Sequence, residues 1–304
     1  MDLRPLSIGE LFDRAFVLYR RHFWLFVGIT AVPGVFALAL TLLQSAIQNP
    51  ATQGIDPDSP EFEAAALAML WPIAGVLVVI VLYFVVYMVA LGATTFAVSE
   101  VYLGRTATIA QVYGRMKGRV GSLLWLLFLV SGRLFAIWML AAIVIGMAAA
   151  INPVFGAITM LAVVGAGGLL TLFLMLRYGL SVPALVLEGH GARAAIKRSI
   201  ELTRGRLGRV FLLVICATMV TYGTLMLFQG PFVGMAMFIG VDTWPGFWLN
   251  VAGAVLGTIG TTVTSPFMII GLALIYYDAR IREEGFDLEV MLAALDGAAD
   301  PARV

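Results

Sequence analysis

Charge is scarce in this chain: Asp, Glu, Lys and Arg make up 12 % of its 304 residues and the formal net charge is +1, where soluble domains carry about 25 % charged residues. So even a balance excludes a protein that grips nucleic acid through a basic field. One cysteine, Cys216, excludes a disulfide framework and a thiolate metal site. The two histidines, His22 and His190, have no second His, Cys or paired carboxylate at metal-ligand spacing. No Asp or Glu is read deep inside an apolar run, which excludes a carboxylate relay for proton coupling. What the chain has in plenty is apolar: 61 % hydrophobic residues and a mean hydropathy of +0.99. A soluble globule of this size has too little interior to hide that much apolar surface, so lipid must be part of its solvent.

Six runs reach the length of about 20 residues that a bilayer crossing needs: Phe23–Ile47, Leu67–Val98, Gly121–Ala150, Val154–Leu187, Leu207–Phe228 and Phe247–Tyr276. None alternates as a barrel strand would, so each is read as a helix. All of the 19 Lys and Arg residues except Arg133 and Arg177 fall in segments 1–22, 99–120, 188–210 or the tail. Segments 48–66, 151–153 and 229–246 hold none, and their charges are acidic: Asp56, Asp58, Glu61, Glu63 and Asp242. The positive-inside bias then predicts cytoplasmic termini. The first apolar run is a full span behind a charged leader, which does not read as a cleavable signal.

The basic segments resemble one another. Ser7 with Glu10, and Thr108 with Gln111, read as capping boxes. The first is followed by the stripe Ile8, Leu11, Phe12, Ala15, Phe16 and Tyr19, the second by Ile109, Val112, Tyr113 and Met116, both at helical spacing. A third stripe starts near Gly191 and runs through Ala192, Ala195, Ile196, Ser199, Ile200 and Thr203. Arg14 and Arg20 match Arg198 and Arg204 in spacing, and Arg115 holds the equivalent place in the second. The pairs of spans end in polar exits, Ser99-Glu100, Glu188-Gly189 and Asp278-Ala279-Arg280. The expected fold is therefore all-α: six transmembrane helices as three hairpin repeats, each led by a cytoplasmic amphipathic interfacial helix, within one membrane domain over 1–304. Repeat 1 covers about 7–100, repeat 2 about 105–188 and repeat 3 about 191–280. The remaining 281–304 form a cytoplasmic tail whose Phe286, Val290, Met291 and Ala294 make a fourth amphipathic stretch.

Residues 6–23 (LSIGELFDRAFVLYRRHF), with Pro183–Gly189 (PALVLEG), Ala195–Ser199 (AIKRS) and Leu202–Gly205 (LTRG), resemble a prokaryotic family of six-span proteins sharing the glycerophosphoryl diester phosphodiesterase membrane domain. In some relatives this module precedes a soluble phosphodiesterase barrel, which takes about 250 residues. Here 28 residues follow the last span and nothing resembles that enzyme's His, Glu and Asp metal site. The resemblance thus implies a multi-pass module of a prokaryotic cell membrane, and not the activity.

Arg133 and Arg177 stand within apolar runs, and charge at membrane depth is expensive and commonly functional. Arg133 lies 12 residues beyond Gly121, about 18 Å along a helix, where it caps a broken helix, reaches the inner headgroups, or holds a lipid phosphate between spans; Arg177 reads as an interface anchor that snorkels. Pro33, Pro72, Pro183 and Pro266 break spans and free a carbonyl one turn back, which a hydroxyl or a neighbouring helix must satisfy. Gly165–Gly168 and Gly253-x3-Gly257 predict close helix contacts. Cys216 reads as a small buried hydrophobe. With no nucleophile–base pair and no cofactor or metal expected, the chain reads as non-enzymatic, engaging anionic phospholipid at the inner leaflet as a scaffold or accessory in membrane homeostasis. The lipid-binding candidates are Arg133, Arg177, Arg14, Arg20, Arg115, Arg198 and Arg204. No nucleic acid is implied, and a protein partner is left open. The alternative is a transporter or flippase for a lipid-like or glycerophosphodiester substrate, its path lined by Arg133 and the proline breaks.

Overall fold

A computed structural model describes residues 7–47 and 60–284, in which ten helices follow one another. They are α1 (Ile8–Arg21), α2 (Phe23–Ile47), α3 (Pro60–Tyr102), α4 (Ile109–Met116), α5 (Val120–Ile151), α6 (Pro153–Tyr178), α7 (Ser181–Leu187), α8 (Ala192–Leu202), α9 (Leu207–Ile239) and α10 (Trp244–Glu284). Six segments among the described residues are long and apolar enough to cross a membrane, and the protein is a multi-pass membrane protein. Asp56, Asp58 and the closing stretch Phe286–Ala294 lie outside the described residues.

Local chemistry sets the short helices. Ser7 Oγ accepts the Glu10 amide while Glu10 Oε2 accepts that of Ser7 at 2.8 Å; Thr108 and Gln111 make the same reciprocal pair. These bonds satisfy end amides that have no partner within a helix. α8 starts without such help, from Gly191. α1 turns Leu11 and Ala15 into the bundle, α4 turns in Val112 and Met116, and α8 turns in Ala192, Ala195, Ile196, Ser199 and Leu202.

Several span boundaries differ from the sequence reading: α3 and α10 run beyond their predicted ends, to Tyr102 and Glu284, and two others change the architecture. The fourth run breaks at Gly179–Leu180 into α6 and α7. Ser199 of α8 holds the break: its hydroxyl donates to the Arg177 carbonyl at 2.7 Å and accepts the Leu180 amide at 3.1 Å. The fifth does not stop at Phe228 but continues through Pro231 to Ile239. Its far end packs on α10, where Gly253 and Gly257 bring the backbones close: a Cβ on Gly253 would fall 2.7 Å from that of Phe232. Gly165 and Gly168 on α6 face open space instead of a helix, because α6 packs chiefly on α5. The helices α2, α3, α9 and α10 form the main bundle.

Two of the proline breaks, at Pro33 and Pro266, are satisfied from neighbouring helices. Pro33 has no N–H for the Ile29 carbonyl, and the Tyr113 hydroxyl of α4 donates to it at 2.8 Å. Pro266 leaves the Thr262 carbonyl, which accepts from Thr30 of α2 at 3.1 Å and from Ser265 at 3.1 Å. One residue on, the Val263 carbonyl accepts the Tyr19 hydroxyl of α1 at 2.5 Å. The short helices thus pin the kinks of the long ones.

The buried core gathers at the end where α1, α4, α7 and α8 pack, with Phe26, Leu123, Leu180, Leu185, Leu202, Leu213, Ile270 and Tyr276 fully enclosed. This is the end that carries the basic residues.

Candidate functional site

The three polar exits of the long helices converge at the basic end. Tyr277 donates to Ser99 Oγ at 2.7 Å and stacks on Tyr102 with ring centroids 5.4 Å apart; Tyr102 Oη in turn accepts from Arg14 at 3.2 Å. Beside it, the Tyr276 hydroxyl donates to Glu188. Glu188 also takes Arg198 Nε on both oxygens, at 3.2 and 3.1 Å, with His190 Nε2 at 2.8 Å and Arg280 Nε at 3.9 Å. The carboxylate of Asp278 is 2 % exposed and bound by Arg209 at 2.8 Å and by Arg282 at 3.0 Å on each oxygen. Charges this enclosed persist only when paired and hydrogen-bonded. Each of these carboxylates faces two guanidinium groups, Arg198 and Arg280 at Glu188 and Arg209 and Arg282 at Asp278. Asp278 lies in the last turns of α10, at the polar exit read from the sequence. It stands there because α9 and α10 supply its counter-ions.

Next to this junction, α1 and the turn after α3 enclose an open cleft of about 460 Å³. Arg14, Arg21 and Arg105 line it together with His22, Tyr102 and Thr106, and Asp13 is its one acidic group among the described residues. Arg105 also reaches Glu100 at 3.5 Å. Burial, and then the neighbouring Arg21, push the His22 pKa below its ordinary value. Phe16, Val17 and Trp24 stand exposed on the same stretch, Trp24 at 81 %. The cleft itself joins three guanidiniums to the apolar Val17, Leu18, Val101 and Leu274, a combination that suits a phosphate carried on a hydrocarbon body.

The arginines singled out from the sequence are dispersed. Arg14 is in the cleft, and Arg198 is engaged by Glu188 in the junction beside it. Arg20 and Arg204 are exposed at the ends of α1 and α8, and Arg115 lies exposed over the Phe96 ring. Arg177 donates to the Ile200 carbonyl at 3.1 Å, tying α6 to α8. Arg133 is exposed on α5, its guanidinium turned back one turn to the Leu129 carbonyl at 3.3 Å and over the Tyr178 ring at 5.7 Å. Arg21, Arg105, Glu188 and Asp278 escaped the sequence reading as a site. The recurring polar exits were the signal, since chemistry repeated at matched span ends asks for a common destination. Cys216 is half-buried rather than enclosed. Among the described residues no three His, Cys, Asp or Glu side chains come together as metal ligands would.

Residues 151–291 match the family model of the membrane domain of glycerophosphoryl diester phosphodiesterase. Over that stretch the chain is similar to this membrane domain. The match takes in the Pro183–Gly189 motif, Glu188, Arg198 and Asp278, whereas the motif over 6–23, which carries the same resemblance, lies outside it. Neither a curated protein nor a solved structure matches the chain.

Proposed function

We propose that the protein is a non-enzymatic module of a prokaryotic cell membrane that holds anionic phospholipid at the inner leaflet, as a scaffold or accessory in membrane homeostasis. The cleft of Arg14, Arg21 and Arg105 carries this reading, because it sets three cations beside the apolar Val17, Leu18, Val101 and Leu274. Each basic residue near an anionic surface is worth about 1 kcal/mol. The arginine bias supports cytoplasmic termini. A short helix directly precedes each pair of long ones (α1, α4 and α8, with α7 closing the fourth apolar run), and capping boxes start the first two, which supports three repeats led by interfacial helices. The paired carboxylates of the junction support a structural rather than catalytic role for Glu188 and Asp278.

The test is native mass spectrometry of protein purified with a mixture of phosphatidylcholine and phosphatidylglycerol. The wild type is expected to retain phosphatidylglycerol in excess over the mixture, and R14Q/R21Q/R105Q to lose that excess. Equal enrichment in both would remove the cleft from the account. In the transport reading, Pro33 does border a cavity inside the bundle, but Arg133 sits on the exposed face of α5. Any path through the main bundle therefore runs without Arg133.

A further inference from the structure

A second cavity lies at membrane depth between α2, α3, α9 and α10, with a volume of about 190 Å³. Its α2 wall runs from Thr30 to Ala37, 7 to 14 residues into the helix, or about 10–21 Å from its start at 1.5 Å per residue. That places it near the middle of a hydrocarbon core about 30 Å thick. None of its described lining residues is charged.

The hydrogen-bonding character of the lining is specific. Thr30, Thr221, Thr261, Thr262 and Ser265 each donate their hydroxyl hydrogen to a backbone carbonyl; Thr262, for example, donates to Thr258 at 2.7 Å. A hydroxyl whose hydrogen is so used can present only lone pairs to the space beside it. Tyr83 and Tyr87 line the same cavity, stacked with centroids 5.7 Å apart, and neither phenol has a hydrogen-bond partner among the described residues. Unpartnered hydroxyls at this depth are costly. The cavity therefore holds acceptors on α2, α9 and α10 and two donors on α3, in a space equal to about six water-sized groups at ~30 Å³ each.

A polar vestibule of about 420 Å³, which Thr41, Gln44, Gln229, Asp242 and Asn250 help to line, lies on the side away from the basic end. Thr41 is one turn from Ala37, and Thr258 one turn from Thr262. The two hydroxyls meet at 3.1 Å across the intervening turn. α2 and α10 approach this closely because Gly34 lies against Thr262, where a Cβ would fall 2.6 Å from its methyl. Towards the basic end, Tyr19 and Tyr113 pin the two proline kinks shut.

We propose that this cavity binds a small, uncharged polyhydric alcohol, with the Tyr83 and Tyr87 hydroxyls as donors to it and the threonine oxygens as acceptors from it. A cation finds no carboxylate there and an anion no guanidinium, while a three-carbon polyol has six heavy atoms and both donates and accepts. This site is independent of the lipid cleft, which lies at the basic end and recognises charge.

The experiment is saturation-transfer NMR with glycerol as the probe, on the full chain in phosphatidylcholine nanodiscs. The wild type should give a saturable transfer signal that glycerol 3-phosphate and choline do not compete away. Y83F/Y87F, which keeps both rings, should weaken half-saturation about thirtyfold through the loss of two hydrogen bonds. T221V, isosteric and outside the proline contacts, guards against misfolding of the double variant and should weaken binding by several-fold. An unchanged half-saturation in Y83F/Y87F, full competition by the charged compounds, or no saturable signal in the wild type would each overturn the proposal. R14Q/R21Q/R105Q should bind glycerol as the wild type does, which separates failure here from failure of the lipid reading.

Discussion

At the basic end α7 is buried along six consecutive residues, Ser181–Val186, whereas α6, the other part of the same apolar run, leaves Leu161 81 % exposed. On α10, Ala273 through Ala279 are all enclosed, while Trp248, at the other end of the same helix, is 61 % exposed. Hydropathy alone does not separate these stretches, since all are mostly apolar, Asp278 being the one charge between Ala273 and Ala279. The difference is what covers them: four short helices and their side chains at one end, and the surrounding lipid at the other. Within a membrane an apolar residue gains little by leaving lipid for protein. The packed end is therefore held by what lipid cannot supply, namely counter-ions and hydrogen-bond partners.

Removing a counter-ion should break the packed end most severely. Asp278→Asn removes the buried carboxylate that Arg209 and Arg282 share, and loss of one partner of a buried pair costs about 3–5 kcal/mol. Both guanidiniums reach solvent in part, so about 3 kcal/mol is expected, read as a large fall in the thermal midpoint in detergent. A midpoint within a degree or two of wild type would show that the junction does not hold that end together.

The next effect comes from the tyrosine pins. Tyr19→Phe with Tyr113→Phe should cost about 1–3 kcal/mol for each carbonyl left unpaired. Burial pushes both phenols up to about 12 from an ordinary value near 10. A folded-state pKa above the unfolded one means that this stabilisation is complete below pH 10 and is lost as the pH rises towards about 12. The wild type should accordingly lose thermal stability between pH 10 and 12 by more than the double phenylalanine variant does. Parallel curves for the two proteins would contradict the assignment.

The smallest effect belongs to the exposed face. Leu161→Ala should change stability by no more than about 0.5 kcal/mol, measured in the same thermal assay. A larger loss would mean that a protein surface, and not lipid, covers α6.

The sequence made the helices and several of their reasons legible. Ser7 with Glu10 and Thr108 with Gln111 announce helix starts because a capping box is complete within four residues. Pro33 and Pro266 announce a debt of hydrogen bonding, since the missing N–H is a property of the residue itself. Neither motif says who answers. Tyr113 and Thr30 do so from other helices, and nothing local to a proline encodes that. The same holds for the site. Glu188 and Arg280 read separately as polar span ends, and only the packing of α7 against α10 makes them partners. The break at Gly179–Leu180 was hidden because Ser199, which holds it, lies 20 residues further on in another helix.

The bond from Tyr19 to the Val263 carbonyl joins residues 244 positions apart. A ribosome releases the first helix long before it makes the helix that this tyrosine must find. During synthesis α1 therefore lacks its final anchor until nearly the whole chain has been inserted, and non-local closures of this kind are the slow ones in folding. Closing the proline kink at Pro266 thus doubles as a signal that α10 has arrived, since only molecules with that helix in place can make the bond.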